Sequence, residues 1–146
     1  MYEHRLAVID TNVWLDLYFF CDPDSQSLAA ALASSQWVAA RCERTDAELA
    51  AVVQRPRFSS SPTVRSRLLG HVQRWQAGAA CFDADGGARL RCRDPDDQKF
   101  LDLAFAARAA VLVTKDKALL SLDRKARRLG LAILTPRDFG GRFGRV

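Results

Sequence analysis

Leu6-Ala7-Val8-Ile9-Asp10 decides the fold: a short, unbroken apolar run that stops at a carboxylate. An apolar run without alternation is the pattern of a strand covered on both faces, as in a parallel sheet. Similar runs recur at Trp37-Val38-Ala39-Ala40, Val111-Leu112-Val113 and Leu131-Ala132-Ile133-Leu134, with a weaker one at Ala79-Ala80-Cys81-Phe82. Segments of helical period lie between them. Leu119, Leu122, Ala126 and Leu129 share one face of a helix, opposite Arg124, Lys125, Arg127 and Arg128. Phe100, Leu103, Ala104 and Ala107 repeat the logic after Asp97, Leu49, Val52 and Val53 do so after Thr45, and a further helix is expected from about Pro62 to Gln76. Strands alternating with helices predict an α/β domain around a mostly parallel sheet with right-handed crossovers.

Composition narrows the class. The chain has 146 residues, 49% hydrophobic and 27% charged, which suits a single packed domain and excludes a disordered or fibrous chain. The longest mostly apolar run, Val13 to Phe20, contains Asp16 and falls short of the roughly 18–20 residues that span a bilayer. The start, Met1-Tyr2-Glu3-His4-Arg5, lacks the apolar region and cleavage site of a signal peptide, so a cytoplasmic protein is expected. Cys21, Cys42, Cys81 and Cys92 form no C-x-x-C pair, and with only two histidines they suggest neither a zinc site nor a redox motif. The net charge of +5 is carried mainly by arginine, which makes a polyanionic partner worth considering. The tail Gly140-Gly141-Arg142-Phe143-Gly144-Arg145 reads as mobile, which sets the expected domain at residues 1–139 and the tail at 140–146.

Ligands of open α/β sheets bind beyond the carboxyl ends of the strands. Asp10 closes the first run, Glu48 follows the second in a first helical turn, Asp97 precedes the Phe100 helix, and Asp116 follows Val113-Thr114-Lys115. Each has a plainer reading. Thr45-Asp46-Ala47-Glu48 fits a capping box, Asp94 can cap a helix with Pro95 in first position, and Asp116 can cap the helix from Lys117. Asp10 resists dismissal, because a carboxylate ending an apolar strand gains little from packing and is costly to desolvate alone. Converging carboxylates repel and raise one another's pKa unless a divalent cation balances them, and oxygen ligands suit Mg²⁺ or Mn²⁺. Such a site does phosphate chemistry.

The motifs in order are Val8-Ile9-Asp10-Thr11-Asn12-Val13, Glu48-Leu49 with Val52-Val53-Gln54-Arg55-Pro56-Arg57-Phe58, Arg93-Asp94-Pro95-Asp96-Asp97-Gln98-Lys99-Phe100-Leu101, Leu112-Val113-Thr114-Lys115-Asp116, and Ile133-Leu134-Thr135-Pro136. Together, over nearly the whole chain, they resemble the PIN-domain family, in particular its bacterial toxin branch, the VapC-like ribonucleases of toxin–antitoxin pairs. The resemblance implies a three-layer α/β/α sandwich with a short, mostly parallel sheet and an endoribonuclease using one or two Mg²⁺ (or Mn²⁺) ions. It places the family's acids, catalytic and metal-binding, on Asp10, Glu48, Asp97 and Asp116. Asp97 is preferred to Asp94 and Asp96 because it stands seven residues before Ala104, the family's acid-to-alanine spacing, and Asp96 remains the alternate. Thr11, Asn12 and Thr114 match polar positions that orient the first acid or the metal's water. Lys115 stands where this branch often has glycine, and with Arg124, Arg127 and Arg128 it is a candidate RNA contact. The implied partners are RNA, a small protein antitoxin and a second copy of the chain, with no membrane.

Phe19 and Phe20, with Trp14 and Leu17, read as core or dimer contacts rather than base-stacking platforms. Two rivals compete. A phosphatase of the haloacid-dehalogenase type requires a second aspartate where this chain has Asn12, and a PIN-like binding module without nuclease activity sits poorly with four intact acids.

Overall fold

The computed structural model describes residues 5–34, 36–58, 60–84 and 86–144. The first residues, Met1 to His4, on which the leader reading rests, lie outside the described residues, as does Arg145 of the expected tail. The elements in chain order are β1 (Arg5–Ile9), α1 (Thr11–Tyr18), α2 (Gln26–Ala33), β2 (Trp37–Arg41), α3 (Glu43–Val53), α4 (Pro62–Gly78), β3 (Ala80–Cys81), α5 (Gln98–Ala107), β4 (Val111–Val113), α6 (Lys117–Leu120), α7 (Asp123–Arg127), β5 (Ala132–Leu134) and α8 (Pro136–Phe143). The strands pair in parallel in the order β3-β2-β1-β4-β5. The architecture is an α/β/α sandwich.

Each face of the sheet takes alternate residues of the same strands. Ala7, Ile9, Trp37, Ala39, Val111, Val113, Ala132 and Leu134 pack with Val13, Trp14, Leu28, Leu49, Leu68 and Phe139. Val8, Ala40, Leu112 and Ile133 face the other way, against Phe100, Leu101, Leu103, Ala104, Leu119 and Ala126. Continuous apolar strands are therefore required, because both sides are covered. Among the described residues no helix is long and apolar enough to cross a membrane.

Three expectations change. The predicted helix through Leu119, Leu122, Ala126 and Leu129 divides into α6 and α7, and Leu129 is exposed rather than on the buried face. Helix α3 starts before Thr45: Cys42 is its N-cap, and Thr45 Oγ1 accepts the Cys42 backbone N–H at 3.0 Å. Glu48 is thus released from capping. Residues 140–143 form the end of α8, which begins at the Thr135 cap with Pro136 in first position. Phe139 and Phe143 of α8 both meet the Trp37 ring, with centroids 5.2 and 5.1 Å away. Gly140 permits this docking, since a Cβ there would stand 3.0 Å from Ser27 Oγ on α2. Residues 140–143 of the expected tail are thus packed as part of a helix, with Gly140 allowing the close approach to α2.

Phe139 is fully buried, so Phe139→Ala is expected to cost about 3–5 kcal/mol in denaturant unfolding. Ending the chain before Gly140 removes Phe143 from the cluster and is expected to lower Tm. An unchanged Tm would show that the segment carries no packing.

Candidate active site

The carboxyl ends of β1 and β4 lie side by side because the two strands pair in register, Ile9 opposite Val113. The residues that follow, Asp10 and Thr114, therefore meet. Thr114 Oγ1 donates to Asp10 Oδ2 at 2.7 Å and accepts the Asp116 backbone N–H at 3.0 Å. One buried hydroxyl thus orients the first acid and the loop that carries the fourth. Asp116 caps α6 through Oδ1 alone, which accepts from Ala118 N at 2.8 Å and Leu119 N at 3.1 Å. Capping and a site role are compatible for a carboxylate with two oxygens.

Glu48 approaches from the second turn of α3. Thr11 Oγ1 donates to its Oε2, and Lys99 Nζ stands 2.8 Å from Oε1. Lys99 also donates to the Asp96 carbonyl at 2.6 Å, so one ammonium joins Glu48 to the turn that leads into α5. In that turn Asp94 accepts from Asp96 N at 3.0 Å, which leaves Asp97 without capping duty. A second tie fixes α3 to α5: Arg44 Nη2 lies 2.5 Å from Asp102 Oδ2, on a buried carboxylate that also accepts from Gln98 Nε2 at 3.1 Å. Neither Lys99 nor Asp102 was read from the sequence as a site residue. Their signal was available only as a lysine and an aspartate in a helix otherwise packed on its apolar face.

Charge interactions link Asp10 to Glu48 and Asp116, and Asp97 to Asp116 and Asp10. Burial pushes the Asp10 carboxyl up, and the charges of Glu48 and Asp116 add to this against the Thr114 hydrogen bond. Burial, then the charges of Asp116, Asp10 and Asp94, raise Asp97 from the ordinary 3.8 to about 7. Asp97 Oδ2 is buried and has no hydrogen-bond partner among the described residues. These oxygens suit a hard cation, since an unpartnered carboxylate among like charges is what a divalent ion relieves. Among the described residues no group of three or more His, Cys, Asp or Glu side chains is arranged to hold a metal ion.

Of the four acids, Asp10 and Asp116 line an open cleft of about 720 Å³, together with Asn12, Asp16, Asp94, Arg57, Arg93, Lys115 and Lys117, while Glu48 and Asp97 are not among its lining residues. Asn12 is exposed at its wall. Lys115 Nζ pairs with Asp16 Oδ2 at 2.5 Å. Asp96 is exposed and points its backbone carbonyl at Lys99. Arg124, Arg127 and Arg128 are not among the residues lining this cleft, and Arg127 pairs with Asp123 at 2.9 Å. Phe20 and Phe58 also line it, and Phe20, expected in a core or dimer contact, is exposed at the rim. Phe20 and Arg57 were missed as site residues because the turns after α1 and α3, distant in sequence, bring them together at the cleft.

An acid whose folded pKa lies above its unfolded one holds its proton more tightly when folded, so its contribution to stability is full below the unfolded value and lost as pH rises through the folded one. For Asp97 that window runs from 3.8 to about 7. In metal-free protein Asp97→Asn is therefore expected to gain Tm on the parent progressively across the window in scanning calorimetry. A constant difference between the two proteins would contradict the clustering.

The comparisons with known proteins bear on the family and the fold. No curated protein matches the chain. Among solved structures it is similar to VapBC2 from Rickettsia felis, crystallised with a DNA fragment from its promoter, with a TM-score of 0.56 and 17% identity over 88% of this chain and 96% of that one. At that identity the likeness is one of fold. The family model described as PIN domain matches residues 6–118, a span that holds all four acids. The chain belongs to the PIN-domain family.

Proposed function

We propose that the chain is a Mg²⁺- or Mn²⁺-dependent endoribonuclease and the toxin member of a toxin–antitoxin pair. One observation supports the reading: Asp97 Oδ2 is buried without a hydrogen-bond partner among the described residues, in a carboxyl raised by the charges of Asp116 and Asp10 as well as by burial. The donor set is all oxygen, as hard divalent cations prefer. Asp10 and Asp116 would be the principal ligands of one or two ions, and Glu48 and Asp97 would complete the set directly or through water. When bound, such an ion lowers the pKa of a water and offsets charge on the phosphate under attack.

The chain's own groups prepare that edge. Thr114 holds Asp10 in one orientation, with the ring of donors completed by Thr11 on Glu48 and by Lys99. Asn12, at the cleft wall, is placed to hold a water or a phosphate oxygen. Arg57, Arg93, Lys115 and Lys117 surround the acids and favour a phosphate backbone, whose affinity should fall steeply with salt. Arg124, Arg127 and Arg128 would reach only a longer strand leaving the cleft. No residue forms a covalent intermediate, and hydrolysis leaves a 5′-phosphate and a 3′-hydroxyl.

The motif resemblance and the fold likeness to VapBC2 support a small protein antitoxin as partner, and the motif resemblance alone carries the reading of a second copy of the chain and of a cytoplasmic location. Expression of the chain alone is expected to arrest growth.

Purified protein is expected to cut single-stranded RNA with Mg²⁺ or Mn²⁺ and to stop with EDTA. Asp10→Asn should lower the rate by about a thousandfold or more, the scale of the several kcal/mol of charge stabilisation a cation supplies. Cleavage that survives both treatments would overturn the reading. Protein that binds RNA tightly yet never cuts it with either ion would favour a binding module.

A further inference from the structure

The rim of the cleft carries a feature that the acids do not explain. Phe20 is 45% exposed, one of two large hydrophobic side chains exposed among the described residues. Helix α1 ends just before it: the backbone N–H groups of Phe19 and Phe20 both bond Leu15 O, and Cys21 then turns through the left-handed region at φ 51°. The reversal separates the two rings. Phe19 is partly buried against the core, edge-on to buried Phe58 at 5.0 Å, while Phe20 lies on the cleft wall, edge-on to Phe19 at 4.9 Å and to Phe58 at 6.2 Å. The Phe20 ring is thus supported from its sides and exposed to the cleft that holds Asp10 and Asp116.

Arg57 completes the arrangement. Its guanidinium lies over the Phe20 ring, 5.3 Å from the centre, in a cation–π contact, and 5.5 Å from the centre of the Phe58 ring, and among the described residues no carboxylate pairs with it. An exposed ring beside an unpaired guanidinium, over an acidic floor, suits a ligand with a flat π face and an adjoining negative charge. A nucleotide of a single strand has both, whereas the bases of a duplex are already stacked. We propose that Phe20 and Arg57 form a nucleotide subsite: Phe20 stacks an unpaired base next to the phosphate at the acids, and Arg57 holds a neighbouring phosphate. This rests on the nuclease reading of the cleft and adds to it the two residues that would hold the single strand.

The test measures binding of a short fluorescein-labelled oligouridylate, single-stranded or paired with oligoadenylate, by anisotropy, in the Asp10→Asn background where the probe is not cut. Phe20→Leu keeps the apolar bulk and removes the aromatic face. It is expected to weaken single-strand binding about tenfold or more and to leave the duplex unaffected, with Phe20→Trp retaining full affinity. Arg57→Gln should weaken binding and lower the salt slope by about one. Single-strand affinity unchanged in Phe20→Leu, an equal loss on the duplex, or no binding by the Asp10→Asn protein itself would overturn the subsite. Unchanged affinity together with a shift from dimer to monomer in light scattering would overturn it and assign the ring to self-association. Cleavage by the wild-type protein, assayed in parallel with Mg²⁺, separates the two readings. Cleavage with a silent Phe20→Leu removes the subsite and keeps the nuclease, and stacking loss without cleavage does the reverse.

Discussion

Carboxylates held close together repel one another, and of Asp10, Glu48, Asp97 and Asp116 only Glu48 has an ion-pair partner among the described residues, Lys99. The repulsion is visible in Asp97, held near pH 7 by burial and by Asp116 and Asp10. What resists it is covalent placement on rigid elements. Asp10 and Asp116 follow paired parallel strands, and Glu48 is tied to the turn before α5 through Lys99, which bonds the Asp96 carbonyl, and α3 to α5 through the Arg44–Asp102 pair. A core on both faces of the sheet supplies the stability that such a site costs. This is the usual balance at functional sites, where locally unfavourable charge persists because the surrounding packing over-determines it.

The parts of this arrangement that depend on strand burial were legible in the sequence. Leu6 to Ile9 and Val111 to Val113 are apolar without alternation because both faces are covered, and the acids that follow them stand out for that reason. Glu48 was harder to place. Thr45 looks like an N-cap, but Cys42 begins the helix and Thr45 takes the third position, a choice settled by where β2 ends. The α8 segment was misread for a related reason. Gly140 lowers helix propensity anywhere in isolation, and only the presence of Ser27 opposite it makes the missing side chain an advantage. Leu129 kept the helical period while the chain turned at Ser121 and Leu122, so period alone placed it on the wrong face. Lys99, Arg57 and Phe20 act through partners distant in sequence, and no local pattern reports such partners.

The net charge of +5 also takes on a spatial meaning. Acids concentrate on the cleft floor while Arg57, Arg93, Lys115 and Lys117 share its lining. The densest basic run in the sequence, around Arg124 to Arg128, does not line the cleft at all. A basic rim attracts a polyanion and an acidic floor refuses it, so a phosphate backbone can settle only if cations bridge the two. In the proposed account, one set of ions therefore both completes the site and admits the substrate.

That account is tested most directly by calorimetric titration of Mn²⁺ into metal-free protein near pH 7, in two buffers of different ionisation enthalpy. Carboxylates that share protons under mutual repulsion must give them up when a cation binds, so the account predicts saturable binding with net proton release and the loss of both in Asp116→Asn. Binding without proton release, or no binding at all, would contradict it.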